Sequence, residues 1–204
     1  MFSLGSLLTQ IFSREKKAAA DAARSQLVER LASHGERAFA EVARRMGLVC
    51  EPGPSLRGEL RGVTLVVSIA ENRDEGLMTR FSATSSTARA VALNVRPKAR
   101  GLEALLRRGA PEAVGDAEFD ATFDLACSDA PAARAVLDAR ARATLLSLPD
   151  RMPLYFDHRG DPRGVELTLD VSGVELDPDR LVYLLEWLVG VASAQPEGEA
   201  PYRT

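Results

Sequence analysis

The chain has 204 residues, of which 46% are hydrophobic and 27% are charged, enough for a normal core and an ordinary soluble surface. The net charge of −3 lacks the basic excess of a nucleic-acid-binding protein, so nucleic acid is excluded as an expected partner. No apolar run reaches the roughly 18 residues of a membrane-spanning helix.

Residues 1–17 are predicted to form an amphipathic arm whose apolar side chains recur close to helical spacing: Phe2, Leu4, Leu7, Leu8, Ile11 and Phe12. Basic residues follow this apolar stretch, which is the reverse of a secretory signal. Three interpretations stay open. The arm packs on its own domain or on a second copy, docks on a protein partner, or lies at an anionic membrane surface.

A long helix is expected from about Ala18 to Met46, ended by Gly47. The hydrophobic period then falls from near 3.6 to 2, which predicts strands. The expected strands are 56–60, 63–69, 77–83 and 91–95, with a turn at Arg61 and Gly62 and a polar loop over 71–76. Short connections between consecutive strands indicate an antiparallel meander, and Pro97 ends it.

The second half of the chain predicts a strand over 118–127, with Phe119 and Phe123 at the centre of the core, and then a helix from Asp129 to Leu148. A short strand at 154–156, a turn over 158–164 and a strand over 165–171 form a later hairpin. Asp177 and Pro178 open a last helix to about Ala194.

The expected fold class is therefore α+β, with an antiparallel sheet made of a meander and a later hairpin. A long N-terminal helix, a middle helix and a C-terminal helix pack on it. The expected organisation is the arm over 1–17, a single domain over 18–194 and a flexible tail over 195–204.

Chemistry-bearing residues are few, and no catalytic, cofactor-binding or metal-binding residue is predicted. The chain has two histidines and no zinc-motif spacing or phosphate-binding loop. The cluster from Asp157 to Arg163 is interpreted as a polar turn, and Glu118, Asp120 and Asp124 as the solvent face of one strand. Cys50 and Cys127 lie far apart and are expected to be reduced core thiols, typical of a cytoplasmic protein.

The segment GDAEFDATFDLACSDAPAARAVLDARARATLLSL, over 115–148, resembles a G-D-x-x-F-D-x-x-F strand followed by an acidic cap and an A-R-x-x-L helix. That pattern is similar to one in a family of uncharacterised bacterial proteins. The resemblance implies a strand-to-helix unit, carries no catalytic residues, and places the unit near N-terminal segments that contact or cross a membrane. The order of elements is also similar to that of secretion-chaperone-like domains, which dimerise and hold partner segments.

The leading hypothesis is a non-enzymatic adaptor or chaperone-like module that binds a protein partner or a second copy. The arm and the wide apolar face of the last helix, including Trp187, are its expected contacts. One alternative is a peripheral protein of the inner membrane, anchored by residues 1–17. Liposome flotation tests this, because replacing Leu8 and Ile11 by aspartate abolishes binding if it is right. A second alternative is an enzyme with an unrecognised site.

Overall fold

The computed structural model describes residues 33–53, 55–72, 76–87, 91–98, 112–148, 154–161 and 164–193, and the N-terminal arm and the tail lie outside these ranges. The strands are β1 Val49–Glu51, β2 Ser55–Leu60, β3 Val63–Asn72, β4 Gly76–Ser85, β5 Ala92–Pro97, β6 Phe123–Cys127, β7 Leu154–Asp161 and β8 Gly164–Ser172. The helices of the described ranges are α1 (33–46), α2 Ala117–Thr122, α3 Ala130–Val136, α4 Ala139–Leu146 and α5 Pro178–Ser193. The predicted α+β class is confirmed.

All strands join one antiparallel sheet in the order β1-β2-β3-β4-β8-β7-β5-β6. The meander and the later hairpin are present as expected. The expectation that β5 continues the meander is wrong, because the β7–β8 hairpin lies between β4 and β5 and pairs with both. The two halves of the sheet are therefore joined by the hairpin.

The turns of the meander follow the sequence signals closely. Gly47 ends α1 with a φ of +70°. Arg61 and Gly62 form the two-residue connection between β2 and β3, and their positive φ angles of 53° and 77° match a type I′ hairpin turn. The loop predicted over 71–76 is shorter than expected, because Glu71 and Asn72 still pair with β4.

The predicted strand over 118–127 is wrong in its first half, where the chain forms α2. Asp116 caps this helix, since its Oδ1 accepts a hydrogen bond from the backbone N of Phe119 at 3.2 Å. Phe119 and Phe123 are four residues apart, and their rings lie 5.0 Å from centroid to centroid in the core. The alternation of these two residues with polar ones fits a strand as well as their four-residue spacing fits a helix. The Asp116 cap favours the helix.

The helix predicted over 129–148 is two helices, α3 and α4. Asp129 caps α3 as expected, with Pro131 in the first turn. Asp138 caps α4, because its Oδ1 accepts a hydrogen bond from the backbone N of Ala141 at 2.7 Å. The predicted buried stripe is confirmed nevertheless: Ala133, Val136, Leu137, Ala141, Leu145 and Leu148 are all buried.

The turn predicted over 158–164 is also much shorter than expected, because β7 runs to Asp161 and β8 starts at Gly164. His158 is therefore a strand residue and is fully buried. Its Nδ1 lies 3.0 Å from the carbonyl oxygen of Val91, which also accepts a hydrogen bond from the backbone N of Gly160 at 2.9 Å. His158 thus joins the start of β5 to β7.

The helices cover one face of the sheet, and α5 packs on β3, β4 and β8. The four residues Val165, Leu167, Leu169 and Val171 of β8 are buried, as their alternation predicted. The cysteines are free as expected, but the prediction that both are buried is wrong. Cys50 is exposed because β1 is an edge strand, and Cys127 on the opposite edge strand is half-buried.

Candidate functional site

A cleft with a volume of about 160 Å³ lies beside the C-terminal half of α5. This helix contributes Trp187, Gly190 and Val191 to the cleft. Trp187 and Val191 are buried, whereas Gly190 is exposed. The part of this wall that is open to solvent is therefore mostly bare helix backbone at Gly190, because Trp187 and Val191 are buried beside it.

The opposite wall is the junction between α3 and α4. Val136 is buried at the end of α3, and Ala135 beside it is exposed. Asp138 and Arg140 stand exposed at the rim, with one charge of each sign. The break between the two helices creates this wall, because Asp138 starts a new helix where a continuous one was expected.

Gly190 has no packing reason inside the described fold. A Cβ built at Gly190 would meet no atom within 4 Å, whereas one at Gly58 would come within 2.7 Å of Leu48 Cδ2. A glycine inside a helix destabilises it by roughly 0.5 to 1 kcal/mol relative to alanine. Gly190 therefore costs stability without relieving any contact among the described residues.

We accordingly expect Gly190→Ala to raise the free energy of unfolding by about 0.5 to 1 kcal/mol, because helix propensity improves and the new methyl group enters open space. Urea unfolding followed by circular dichroism measures the change. Gly58→Ala is the matched control and should destabilise the fold, since its Cβ meets Leu48. A loss of stability in Gly190→Ala would contradict the open space at this position.

Trp187 lies in the core and also lines the cleft. It is 2% exposed, and its ring lies 5.3 Å from that of Phe156 at a tilt of 47°. Its indole Nε1 is buried and makes no hydrogen bond within the described ranges. A buried donor of this kind costs stability, and such groups commonly mark functional or solvent-filled positions.

The start of α5 is anchored to the sheet through a buried carboxylate. Glu175 is 1% exposed, and its Oε1 accepts hydrogen bonds of 3.1 Å from the backbone N atoms of Leu176 and Asp177. Its own backbone N donates to Thr79 Oγ1 on β4 at 2.7 Å. Arg180 Nε lies 3.4 Å from its Oε2. These contacts fix where α5 begins.

Two side-chain contacts join α5 to α4 and to the residue that follows α4. The hydroxyls of Thr144 on α4 and Tyr183 on α5 are 2.8 Å apart. Arg180 Nη2 donates to the carbonyl oxygen of Ser147 at 3.3 Å. These contacts hold α4 against α5.

A second anchor holds α4 against α2. Arg142 Nε donates to Asp116 Oδ2 at 2.9 Å, and Arg142 Nη1 donates to the carbonyl oxygen of Leu137 at 2.6 Å. The backbone N–H of Phe119 and then the Arg142 guanidinium lower the pKa of Asp116 below its ordinary value of 3.8. The charged carboxylate thus favours the folded state.

From this lowered pKa we expect a stability difference between the protein and Asp116→Asn that depends on pH. Since the folded-state pKa of Asp116 is depressed, its charged form contributes stability above the unfolded pKa, and the contribution is lost as pH falls through the folded pKa. Asparagine keeps a capping oxygen but cannot pair with Arg142. Urea midpoints should differ at neutral pH, and the difference should shrink as pH falls below the unfolded-state pKa of about 3.9. A difference that stays constant with pH would contradict this.

The other sequence-based candidates are dispersed. Phe2, Leu4, Leu7, Leu8, Ile11 and Phe12 lie outside the described residues. Asp157 pairs with Arg159 at 2.8 Å on the open face of the sheet, whereas His158 is buried under the helices, so the two side chains are on opposite faces. Asp120 accepts hydrogen bonds from the backbone N atoms of Val114 and Gly115, each at 3.0 Å.

Within the described ranges, no group of His, Cys, Asp and Glu side chains is placed to hold a metal ion. No helix among these residues combines the length and the apolar character needed to cross a membrane. Partial desolvation by its neighbours raises the pKa of the Cys50 thiol even though this residue is exposed, and burial and the nearby Glu112 charge raise the pKa of Cys127. Both thiols are thus kept in their less nucleophilic, protonated form.

Sequence reasoning predicted Trp187 as an exposed contact and did not find the cleft. The fold buries the Trp187 ring, because the wide apolar surface of α5 packs on the sheet. One feature of the sequence could have indicated the cleft. Gly190 is an isolated glycine inside the helical run LVYLLEWLVGVAS, and a glycine there usually has a packing or functional reason.

Comparison with protein-family models, with curated proteins and with solved structures gives no match to this chain. The resemblance to the G-D-x-x-F-D-x-x-F family and the similarity to secretion-chaperone-like domains therefore remain predictions.

Proposed function

We propose that the protein is a non-enzymatic interaction module whose cleft beside α5 holds one apolar side chain of a partner protein segment. The observation that carries the proposal is Gly190, an exposed helical glycine in the wall of the cleft that has no packing reason within the described residues. Bare backbone lets a ligand approach a helix more closely than any side chain would.

The size and the chemistry of the cleft support a side chain as the occupant. A volume of about 160 Å³ is close to that of an engineered apolar cavity that holds one benzene molecule, roughly 150 Å³. The lining is about half apolar and half polar: Val136, Trp187 and Val191 are apolar but largely buried, and Asp138 and Arg140 offer contacts to the polar backbone around the anchor. Small apolar patches surrounded by polar groups occur at anchor sites in protein interfaces.

The experiment selects peptides that bind the immobilised full chain from a displayed random library and measures their affinity by calorimetry. Gly190→Leu should weaken binding by about tenfold or more, because its side chain fills the floor of the cleft. Ala40→Leu adds a side chain at an exposed position of α1 that does not line the cleft, and it should leave the affinity unchanged.

The free energy of unfolding of Gly190→Leu is measured alongside, to separate lost binding from lost folding. It should not fall, because leucine is a good helix former and enters open space at position 190. Light scattering of the free chain decides whether the occupant is a second copy: a dimer that Gly190→Leu dissociates would assign the cleft to self-association instead. Peptides that bind the protein and Gly190→Leu equally well would contradict the proposal.

A further inference from the structure

The two edges of the sheet differ in how the chain covers them. β6 forms one edge, where the backbone N of Glu112 donates to the carbonyl oxygen of Leu125 at 3.0 Å, so part of that edge is occupied. β1 forms the other edge, and among the described residues it pairs with β2 alone. The outward backbone groups of an edge strand are a template for pairing with another strand. β1 is therefore the open edge of the described sheet.

This open edge is an ordered strand. Before it, the backbone N of Leu48 donates to the carbonyl oxygen of Ala43 at 3.0 Å, which ties the start of β1 to the end of α1. The Leu48 side chain lies over Gly58 of β2, where a Cβ would come within 2.7 Å of it. After the strand, the backbone N of Ser55 donates to the carbonyl oxygen of Gly53 at 2.8 Å. These contacts hold β1 in place for a second strand.

The side chains of β1 are unusual for a free edge. Val49 is 64% exposed, more than any other large hydrophobic side chain of the described residues. It lies on the open face of the sheet opposite Arg57 of β2, whereas Cys50 is exposed on the other face. Natural sheets commonly protect an edge with lysine, but β1 carries only the carboxylate of Glu51. An apolar side chain at this edge suits a contact with another strand.

We infer that the β1 edge binds the β1 edge of a second copy of this chain, in an antiparallel two-fold pair centred on Cys50. The inference goes beyond the proposed function, because it uses a different surface from the cleft. A two-fold axis lets each strand offer the same residues to the other. In this register Val49 of one copy lies opposite Glu51 of the other, and the two Cys50 residues face each other.

The neighbouring registers that keep both open faces on the same side are less favourable. A pair centred on Glu51 places two carboxylates directly opposite each other, which destabilises a sheet. A pair centred on Val49 places Gly47 opposite Glu51, and Gly47 ends α1 with a φ of +70°, outside the strand conformation. The register centred on Cys50 uses only residues that are already in β1.

The charges of two copies complement each other in this register. Glu51 of one copy lies opposite Val49 of the second copy, and Arg57 of the second copy lies one strand further, about 9.5 Å from Glu51. Both charged side chains are long and lie on the open face, so they can meet over the Val49 side chain and cover it. Arg57 is available for this pair, because its side chain is 61% exposed and lies 3.9 Å from Glu51 of its own chain.

The pairing is expected to be weak and reversible. Pro52 follows Glu51 directly and has no N–H to donate, so the strand pairing ends there. A contact of three residues on each strand belongs to the small interfaces, below about 1,200 Å², that are typical of transient association. The fraction of dimer therefore depends on protein concentration.

Sedimentation velocity of the full chain tests the inference, in a reducing buffer and at concentrations up to about 1 mM. The expected result is a monomer–dimer equilibrium. Val49→Asp should raise the dissociation constant about tenfold or more, because its carboxylate lies opposite Glu51 of the second copy. Ala126→Asp is the matched control, because Ala126 is exposed on the opposite edge strand, and it should leave the dissociation constant unchanged.

A charge exchange tests the predicted ion pair. Arg57→Glu should also weaken the dimer about tenfold, because it brings a second carboxylate near Glu51 of the second copy. Adding Glu51→Arg to the same chain restores opposite charges across the pair and should restore the dimer. A loss of association that the double variant does not recover would contradict the register.

Cross-linking tests the register independently. Directly opposite residues have Cα atoms about 4.5 to 5.5 Å apart, within the range of a disulfide, so an added mild oxidant should link two copies of Cys127→Ser through Cys50. A thiol moved by one residue, with Cys50→Ser and Glu51→Cys in the same chain, should link far more slowly. Its two Cα atoms are diagonal neighbours about 7 to 8 Å apart.

The inference is overturned if the chain stays monomeric up to about 1 mM, or if Val49→Asp and Ala126→Asp weaken association equally. A dimer that Gly190→Leu dissociates and Val49→Asp does not would place the contact in the cleft and would also overturn it. So would a selected peptide that shifts the amides of Val49–Glu51, because the edge would then serve a different strand. None of these sedimentation results changes the affinity of the cleft for its peptide.

Discussion

Replacing Phe119 by alanine is expected to lower the free energy of unfolding by about 3 to 5 kcal/mol. The Phe119 ring is 1% exposed and packs against Phe123 inside the main hydrophobic cluster, so its removal leaves a cavity under α2. Urea unfolding followed by circular dichroism and by Trp187 fluorescence measures the loss. The two probes should report the same transition if the core unfolds as one unit.

The neighbouring Glu118 is the matched control, because it is exposed in the same short helix. Glu118→Ala should change stability by no more than about 0.5 kcal/mol. A nearly neutral Phe119→Ala would mean that α2 does not seat this ring in the core.

The second large effect is expected at His158, where alanine should lower the free energy of unfolding by about 2 to 4 kcal/mol. The side chain is fully buried, and because a carbonyl oxygen only accepts, its Nδ1 carries the proton shared with Val91. The substitution removes both this bond and the packing between β5 and β8. It therefore weakens the attachment of the paired strands β5 and β6 to the rest of the sheet.

Arg159 provides the comparison for His158, since it is next in sequence but exposed on the other face, where it pairs with Asp157. Arg159→Ala removes only a largely exposed ion pair, worth about 0 to 1 kcal/mol. Equal effects of Arg159→Ala and His158→Ala would show that His158 does not join β5 to β7 as described.

The sequence predicted the sheet well where one signal dominated. Alternation over 165–171 and the glycine at position 62 have a single structural interpretation, and both predictions are confirmed. The sequence failed at Phe119 and Phe123, because four-residue spacing also fits every second residue of a strand. At these positions the Asp116 side chain caps a helix instead. In a sequence, a single capping residue predicts a helix less strongly than a clear alternation predicts a strand.

A helix cap that the hydrophobic pattern does not show is also the reason why the cleft was not predicted. Its wall depends on the break where α3 ends at Val136 and Asp138 caps α4. The apolar stripe does not reveal this break, because the stripe continues through it. The burial of Trp187 and His158 depends on strand order, which brings the β7–β8 hairpin between β4 and β5. Long-range order of this kind is not encoded in local periodicity.

The most direct test of the cleft as the binding site is a ¹⁵N-detected titration of the full chain with a selected peptide. We expect the single Trp187 indole signal and the amides of 135–140 and 187–191 to shift together with one dissociation constant, while the amides of β1 and β2 stay in place. Shifts concentrated on the β1 edge or on the open face of the sheet, with the indole signal unmoved, would contradict the account.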